Sequence, residues 1–114
     1  MNNFLELNNI SKTFHTSKKL KVLKNLSYKF KKAKTYSLMG PSGSGKSTLL
    51  NLISLIDRPT TGTINFNQSQ INFSENKKND IFRAKKIGII YQQNNLLPDF
   101  TALENVYLAS LSLH

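Results

Sequence analysis

Short stretches of alternating apolar and polar residues dominate the N-terminal part of the sequence. Residues 4–10 and 22–30 show this alternation, which is typical of β-strands. The residues between them, 11–21, are mostly polar, and we expect a loop or a hairpin connection there. Residues 63–67 alternate as an edge strand does, and residues 70–73 can pair with them. The pattern therefore predicts several short strands before residue 74.

Three apolar segments predict the buried elements. Residues 35–39 form a short β-prone run that ends at Gly40, and residues 87–91 form a second run of the buried-strand type. Residues 47–56 carry so many apolar positions that we expect a helix buried on most of its circumference. Pro59 is predicted to end this helix.

The last third of the sequence predicts helices joined by polar segments. Residues 76–80 read as a polar loop, and residues 81–86 as a short basic helix. Thr101 and Glu104 have the spacing of a capping box, which predicts a helix from there to about residue 112. No repeat and no linker divides the chain, so we expect a single domain over residues 1–114.

Composition narrows the classes of function. The chain has 114 residues, no cysteine and two histidines, which argues against a disulfide framework and against thiolate or histidine metal sites. No apolar run approaches the 18 or so residues that span a bilayer. The N-terminus lacks the basic and apolar regions of a signal peptide. These features predict a soluble protein of a reducing cytosol.

The net charge of +10 comes almost entirely from lysine, with nine lysines between residues 12 and 34. The charge run fits a solvated face, attraction to anionic lipid head groups, or nucleic-acid binding. Nucleic-acid binding is the weakest reading, because the chain has only two arginines and no recognisable nucleic-acid motif. We therefore expect no specific nucleic-acid partner.

The sequence from residue 40 to 47, the phosphate loop, fits the pattern G-x-x-x-x-G-K-[ST] at every fixed position. It lies between a predicted strand and a predicted helix. Its glycines let the backbone N–H groups point inward and bind an anion at the helix N-terminus, which is the positive end of the helix dipole. Lys46 is expected to reach the β- and γ-phosphates, and the Ser47 hydroxyl to complete a Mg²⁺ shell. The alternative is an ordinary Gly/Ser turn before a helix. The candidate nucleotide-binding residues here are Gly40, Pro41, Ser42, Gly43, Ser44, Gly45, Lys46, Ser47 and Thr48.

Three further segments carry a family resemblance. Phe14 lies in a polar stretch, residues 91–93 end an apolar run in Tyr-Gln-Gln, and residues 96–106 follow with Leu-Leu-Pro-Asp-Phe-Thr-Ala-Leu-Glu-Asn-Val. With the phosphate loop they resemble the ATP-binding subunit of ABC transporters. The likeness is greatest to the lipoprotein-releasing type, and the macrolide-exporter type is a near neighbour. Asn67 and Gln68 stand where that family commonly has a turn glycine, which puts the local hairpin in doubt.

The resemblance implies an α/β fold, the phosphate-loop NTPase fold of an ABC-type nucleotide-binding domain with an N-terminal antiparallel β-subdomain. It implies ATP and Mg²⁺ as cofactors, with Phe14 stacking on adenine. It gives Gln92 a catalytic and metal-contacting role at Mg²⁺ or the attacking water. The alternatives are an aromatic that packs on the sheet for Phe14 and a solvated strand end for Gln92.

The resemblance also implies partners and a location. In that family the ATP-binding subunit works with integral membrane permease subunits and a second ATP-binding subunit. Residues 96–100 resemble part of the surface that meets the permease. The implied location is peripheral, on the cytoplasmic side of the inner membrane.

The resemblance covers only the N-terminal half of the family pattern. Phosphoryl transfer needs a strand-end Asp for Mg²⁺ and a group that positions water. The later apolar runs end in Asn67 and Gln92, and we find no following Glu, no Leu-Ser-Gly-Gly-Gln signature and no switch histidine. We therefore expect a truncated domain that binds ATP but does not hydrolyse it alone. The alternative function is a catalytically inactive fragment or a regulatory module that docks on a membrane partner.

Overall fold

The structure is a computed structural model that describes residues 3–111. It separates into two compact units, an N-terminal unit that ends at Phe73 and a C-terminal unit that begins at Ser74. The single truncated domain expected from the sequence stays a prediction. No helix within residues 3–111 is both long enough and apolar enough to cross a membrane.

The N-terminal unit is built on a four-stranded antiparallel sheet in the order β2-β1-β3-β4. The strands are β1 (Asn3–His15), β2 (Lys19–Lys31), β3 (Thr61–Phe66) and β4 (Ser69–Gln70). Four side chains are almost completely buried: Leu7, Ile10 and Ile64 of the sheet, and Leu52.

The first two strands are longer than the sequence predicts. Of the two alternatives expected for residues 11–21, the hairpin connection forms and the long loop does not, because only residues 16–18 connect β1 to β2. Phe14 pairs with Leu20 and His15 pairs with Lys19, so backbone pairing continues through the polar stretch. Polar side chains are compatible with strand structure here because most of them are exposed to solvent.

The predicted edge strand β3 is in fact internal, since β1 pairs with one side of it and β4 with the other. The β3–β4 hairpin forms without a turn glycine. Asn67 and Gln68 adopt φ angles of 46° and 68°, the left-handed values that a type I′ turn requires. The doubt about this hairpin is thereby resolved.

Glycine is required where β3 approaches β1. Gly62 has a φ angle of 93°, and a Cβ atom there would lie 2.5 Å from the Asn9 carbonyl oxygen. Asn9 itself has a φ angle of 50°, and the β1–β2 register shifts between Leu7 and Ile10. These features identify an irregularity in β1 that only a residue without a side chain can face.

The helix that follows the phosphate loop is α1 (Lys46–Ile53). Leu49 and Leu52 are buried, whereas Leu50 is 56% exposed. The expected burial around most of the circumference is therefore wrong for the described residues, which bury one face of the helix. The helix also ends well before Pro59, because Leu55 turns the chain with a φ angle of 59°.

The two apolar runs predicted to be buried strands do not form strands in the structure. Residues 35–39 and 87–91 pair with none of the described strands, and a strand requires a ladder partner for its backbone groups. The first run is held by Tyr36, whose ring centroid lies 4.9 Å from that of Phe30. The Lys31 amide donates to the Tyr36 hydroxyl at 2.8 Å.

The C-terminal unit contains α2 (Asn76–Lys86) and α3 (Ala102–Leu111). The loop predicted at residues 76–80 is wrong, because α2 already begins at Asn76 and contains the predicted basic helix 81–86. Ion pairs three residues apart favour the helix: Lys78 with Glu75 at 3.0 Å, and Arg83 with Asp80 at 2.9 Å.

The capping box at the start of α3 is confirmed. The Thr101 amide donates to Glu104 Oε2 at 2.7 Å, and the Glu104 amide donates to Thr101 Oγ1 at 3.2 Å. The helix is described as far as Leu111. The predicted end at residue 112 lies outside the described residues.

Candidate nucleotide-binding site

The phosphate loop turns through two glycines with left-handed backbone angles. Gly43 has a φ angle of 79°, and Gly45, the N-cap of α1, has a φ angle of 95°. The Ser44 amide donates to the Pro41 carbonyl at 3.2 Å, which closes the turn between them. Residues with side chains are strained in this conformation, so the loop shape depends on glycine at both positions.

The start of α1 presents free backbone donors. The Leu49 amide donates to the Gly45 carbonyl at 2.9 Å, and the amides of Lys46, Ser47 and Thr48 precede this first intrahelical donor. No side chain caps this helix, and its first turn has no acidic residue. An uncapped helix start with the positive end of its dipole suits a phosphate group. The donor set therefore fits a nucleotide polyphosphate.

Lys46 places its charge across the loop. Its ammonium group donates to the Gly40 carbonyl at 2.6 Å, to the Pro41 carbonyl at 2.7 Å and to Ser44 Oγ at 3.3 Å. The side chain thus lies along the loop instead of extending into solvent. A fixed cation beside free amide donors strengthens the preference of the loop for an anion.

Phe14 belongs to the same unit as the phosphate loop, as an adenine platform requires. It lies in β1, not in a loop, and is 36% exposed. The ammonium nitrogen of Lys12 lies over the ring, 5.1 Å from its centroid. An exposed aromatic ring fixed on a strand can provide a stacking surface for a base.

A partly buried ion pair next to Phe14 was missed by reasoning from the sequence. The Lys12 ammonium donates to Asp57 Oδ1 at 2.8 Å and to the Arg58 carbonyl at 2.7 Å, and it lies 2.8 Å from Asp57 Oδ2. Asp57 is the only acidic residue between Glu6 and Glu75, which is the one available sequence signal for this pair.

Opposing effects act on the Asp57 carboxyl group. Its burial alone raises the pKa. The hydrogen bonds from the Lys12 side chain and the Arg58 amide, together with the charges of both residues, outweigh burial and lower the pKa below its ordinary value. The carboxylate is therefore ionised at neutral pH and committed to Lys12.

Gln92 lies in the C-terminal unit, in a bend whose residues are exposed. The predicted strand before it is absent from the structure, so Gln92 does not stand at a strand end. Phe14 and the phosphate loop both belong to the N-terminal unit. The role of Gln92 at a metal ion stays a prediction from the family resemblance.

Asn105 shapes the segment that follows Gln92. Its side-chain oxygen accepts from the Leu97 amide at 2.8 Å, and its nitrogen donates to the carbonyls of Leu97, Phe100 and Thr101 at 3.2, 3.2 and 2.9 Å. One amide side chain therefore fastens the loop before α3 to the helix. No local sequence pattern indicates this arrangement.

Comparison with known proteins decides the family. The sequence model described as ABC transporter matches residues 23–113 of this chain. The chain belongs to the ABC transporter family.

The relatives of this ABC transporter chain include ATP-binding proteins of lipoprotein-releasing systems. One, the lipoprotein-releasing system ATP-binding protein LolD of Wigglesworthia glossinidia brevipalpis, is 44% identical over 97% of this chain and 50% of its own length. Another LolD, from Cytophaga hutchinsonii, is 39% identical over 97% of this chain and 49% of its own length. This chain thus spans about half the length of the curated relatives it matches.

A solved structure agrees with this assignment. It is described as a dimeric structure of a post-hydrolysis state of the ATP-binding cassette MJ0796 bound to ADP and Pi. The MJ0796 protein is an uncharacterized ABC transporter ATP-binding protein of Methanocaldococcus jannaschii. It has a TM-score of 0.88 and 39% identity, covering 96% of this chain and 48% of that one. The α/β fold class and the resemblance to lipoprotein-releasing ATPases are confirmed.

Proposed function

We propose that this chain is an ATP-binding subunit of an ABC transporter and that its phosphate loop binds ATP together with Mg²⁺. The observation that carries the proposal is the geometry of that loop. Two left-handed glycines precede an uncapped helix, and Lys46 lies across the loop with its cation held beside the free amides. Fold and family membership agree with this function.

Each part of the site has a distinct role in the proposal. The amides at the start of α1 and the Lys46 ammonium bind the phosphate oxygens, and Phe14 stacks on the adenine base. The Ser47 hydroxyl and the Gln92 side chain contact Mg²⁺, which neutralises charge on the phosphate oxygens when bound. Within residues 3–111, no cluster of three His, Asp or Glu side chains offers another site for the metal.

The proposed cellular role follows from the names of the relatives. Two of them are named lipoprotein-releasing system ATP-binding proteins, at 44% and 39% identity. We propose that this chain energises lipoprotein release with integral membrane permease subunits and a second ATP-binding subunit. Its proposed location is peripheral, on the cytoplasmic side of the inner membrane.

A second candidate function is a catalytically inactive module that docks on a membrane partner. The observation that favours it is the placement of the carboxylates. The acidic residues of the chain are Glu6, Asp57, Glu75, Asp80, Asp99 and Glu104. Asp57 is engaged with Lys12, and none of the other five directly follows a described strand. The proposed module binds ATP without hydrolysing it.

The proposal is tested by titrating the purified chain with MgATP and comparing it with Lys46→Ala. We expect the variant to lose measurable MgATP binding and to keep the circular dichroism of the wild type, because Lys46 bonds only to atoms of its own loop. Lys24→Ala, which removes an exposed lysine of β2, is the matched control and should bind normally. Equal affinity of Lys46→Ala and the wild type would reject the site.

A parallel measurement addresses the nucleic-acid alternative. Retention of the chain on immobilised DNA that disappears with salt, in the absence of saturable MgATP binding, would favour that alternative. Saturable MgATP binding favours either of the two ATP-binding functions. Because we expect no hydrolysis by the chain alone, magnesium-dependent phosphate release measured with the permease subunits and a second ATP-binding subunit present then separates the two.

A further inference from the structure

Lys12 is an unusual lysine in this chain because its ammonium group is enclosed. Its side chain is only 11% exposed, whereas the neighbouring lysines of β2, such as Lys21 and Lys24, are exposed. The ammonium has two kinds of partner. It bonds to the Asp57 carboxylate and the Arg58 carbonyl, and it lies over the Phe14 ring at 5.1 Å from the centroid.

Asp57, which binds the Lys12 ammonium, is itself hydrogen-bonded to α1. The amides of Ile56 and Asp57 both donate to the Asn51 carbonyl, at 3.0 and 3.1 Å, and Asn51 belongs to that helix. The helix begins at the phosphate loop. Lys12 therefore joins the aromatic ring on β1 to the end of the helix whose start forms the candidate phosphate site.

The segment after Asp57 is also fastened to β1 beside Phe14. The Thr60 amide donates to the Ser11 carbonyl at 2.8 Å, and the Thr13 amide donates to Thr60 Oγ1 at 2.9 Å. These bonds lie on both sides of Lys12 in the sequence. The position of the Asp57 carboxylate, and with it that of the Lys12 ammonium, is thus set by several contacts.

Packing alone does not explain a lysine at this position. Even partial burial of an ion pair costs desolvation energy, and an apolar side chain of similar length fills such a space at least as well. A cation held against one face of an aromatic ring, in contrast, attracts the ring and restricts its motion. The positive charge of Lys12 therefore has a role if the Phe14 ring must be held in one position.

We propose that Lys12 is a positioning residue for the nucleobase. Held by Asp57, its ammonium packs on one face of the Phe14 ring and keeps the ring in place to stack on the base of a bound nucleotide. The inference rests on the proposed function, because it assigns a base to Phe14. It predicts that Lys12 contributes to recognition of the base and not of the phosphates.

The test compares MgATP with magnesium tripolyphosphate, which has the phosphates but no base. The proteins are the wild type, Lys12→Met, Lys12→Arg and the control Lys24→Met. We expect Lys12→Met to weaken MgATP binding about three- to tenfold, the range of a partly desolvated cation–π contact, with tripolyphosphate affinity unchanged. Lys12→Arg retains the charge and should restore ATP affinity. Lys24→Met should match the wild type for both ligands.

Two results would overturn the role. They are unchanged MgATP affinity in Lys12→Met, and an equal loss for both ligands, which would indicate a purely structural effect on the loop. If circular dichroism shows that Lys12→Met does not fold, Asp57→Asn takes its place. That change keeps Lys12 but removes the carboxylate charge that holds its ammonium group. It should also reduce affinity for MgATP and leave affinity for tripolyphosphate unchanged.

An NMR measurement without nucleotide separates this inference from the proposed function. The ε-methylene protons of Lys12 should be shifted upfield by the ring current of Phe14, and Phe14→Leu should remove that shift. If the wild type binds neither ligand while the shift is present, the proposed function fails although the Lys12 contact exists. If ligands bind and the shift is absent, the positioning role fails and the ATP site remains.

Discussion

Gly45 lies so close to Val22 that a side chain at position 45 would have to displace it. A Cβ atom on Gly45 would lie 3.0 Å from Val22 Cγ1 and 3.1 Å from Leu23 Cδ2. This contact places the start of α1 directly against β2. The glycine that the phosphate-loop pattern requires is thus needed for packing on the sheet as well as for its left-handed backbone angle.

Gly45→Ala should therefore be more harmful than Gly43→Ala. A left-handed alanine costs about 1–2 kcal/mol, and at position 45 the contact with Val22 adds about 1–3 kcal/mol of overpacking. At Gly43 nothing lies within 4 Å of the added Cβ, so only the backbone cost applies. Urea unfolding measures both effects, with Gly88→Ala as the control, since that position is open and its φ is not left-handed. Equal stabilities of the two loop variants would contradict the packing role.

Phe14→Ala should weaken MgATP binding about ten- to a hundredfold, because stacking of a base on an aromatic ring is worth about 1–3 kcal/mol. Phe14→Tyr keeps the ring and should have a mild effect. Isothermal titration of both variants measures the difference. If Phe14→Ala binds MgATP as tightly as the wild type, Phe14 is a packing residue of the sheet.

The phosphate loop could be predicted from the sequence because its chemistry depends on residue types at fixed local spacing. The Lys12–Asp57 pair could not, since its partners are 45 residues apart and meet only after the sheet and α1 have formed. The apolar runs at 35–39 and 87–91 show a related difficulty. Apolar composition indicates that a segment can be buried, but it does not reveal whether a neighbouring strand is present to pair with it.

The polar stretch that contains Phe14 is the opposite case, a strand that the sequence pattern did not predict. Residues 11–15 lack apolar alternation, yet they continue β1, because pairing with β2 satisfies their backbone and the two polar side chains that are buried, Ser11 and Lys12, have polar partners. Tertiary pairing therefore decided the structure of this segment. The sequence identified Phe14 as a candidate but not the strand that presents it.

The Lys12–Asp57 pair should make stability depend on pH in the acid range. The folded-state pKa of Asp57 is lowered, so the contribution of the pair is present above the unfolded-state pKa and is lost as pH falls through the folded-state value. The stability advantage of the wild type over Asp57→Asn should therefore shrink below about pH 4. Urea unfolding at pH 7 and pH 3 measures this difference, with Asp99→Asn as the exposed control. An advantage that is the same at both pH values would contradict an ionised, paired Asp57.

Leu97→Glu should reduce co-purification with a membrane permease partner and leave MgATP binding unchanged. Asn105 fastens this loop through the backbone atoms of Leu97, so the substitution should preserve the loop while changing its surface. Leu97 is 48% exposed, and Ile81 in α2 has the same exposure. Ile81→Glu is therefore a matched control for a new charge on an exposed apolar residue. Assembly of Leu97→Glu at the wild-type level would argue against docking through residues 96–100.

The final prediction concerns hydrolysis: the purified 114-residue chain should bind MgATP without hydrolysing it at a rate typical of its family. Phosphoryl transfer requires a carboxylate that holds the metal and a group that positions water. Asp57 is engaged with Lys12 and Arg58, and Gln92 can orient a water molecule but cannot replace a metal-binding carboxylate. In related phosphate-loop enzymes, a positively charged side chain supplied by a partner raises the rate of hydrolysis by about 10³–10⁵. We therefore expect no phosphate release above that of Lys46→Ala in a magnesium-containing assay. Magnesium-dependent release by the wild type that Lys46→Ala abolishes would show that the chain itself supplies the missing groups.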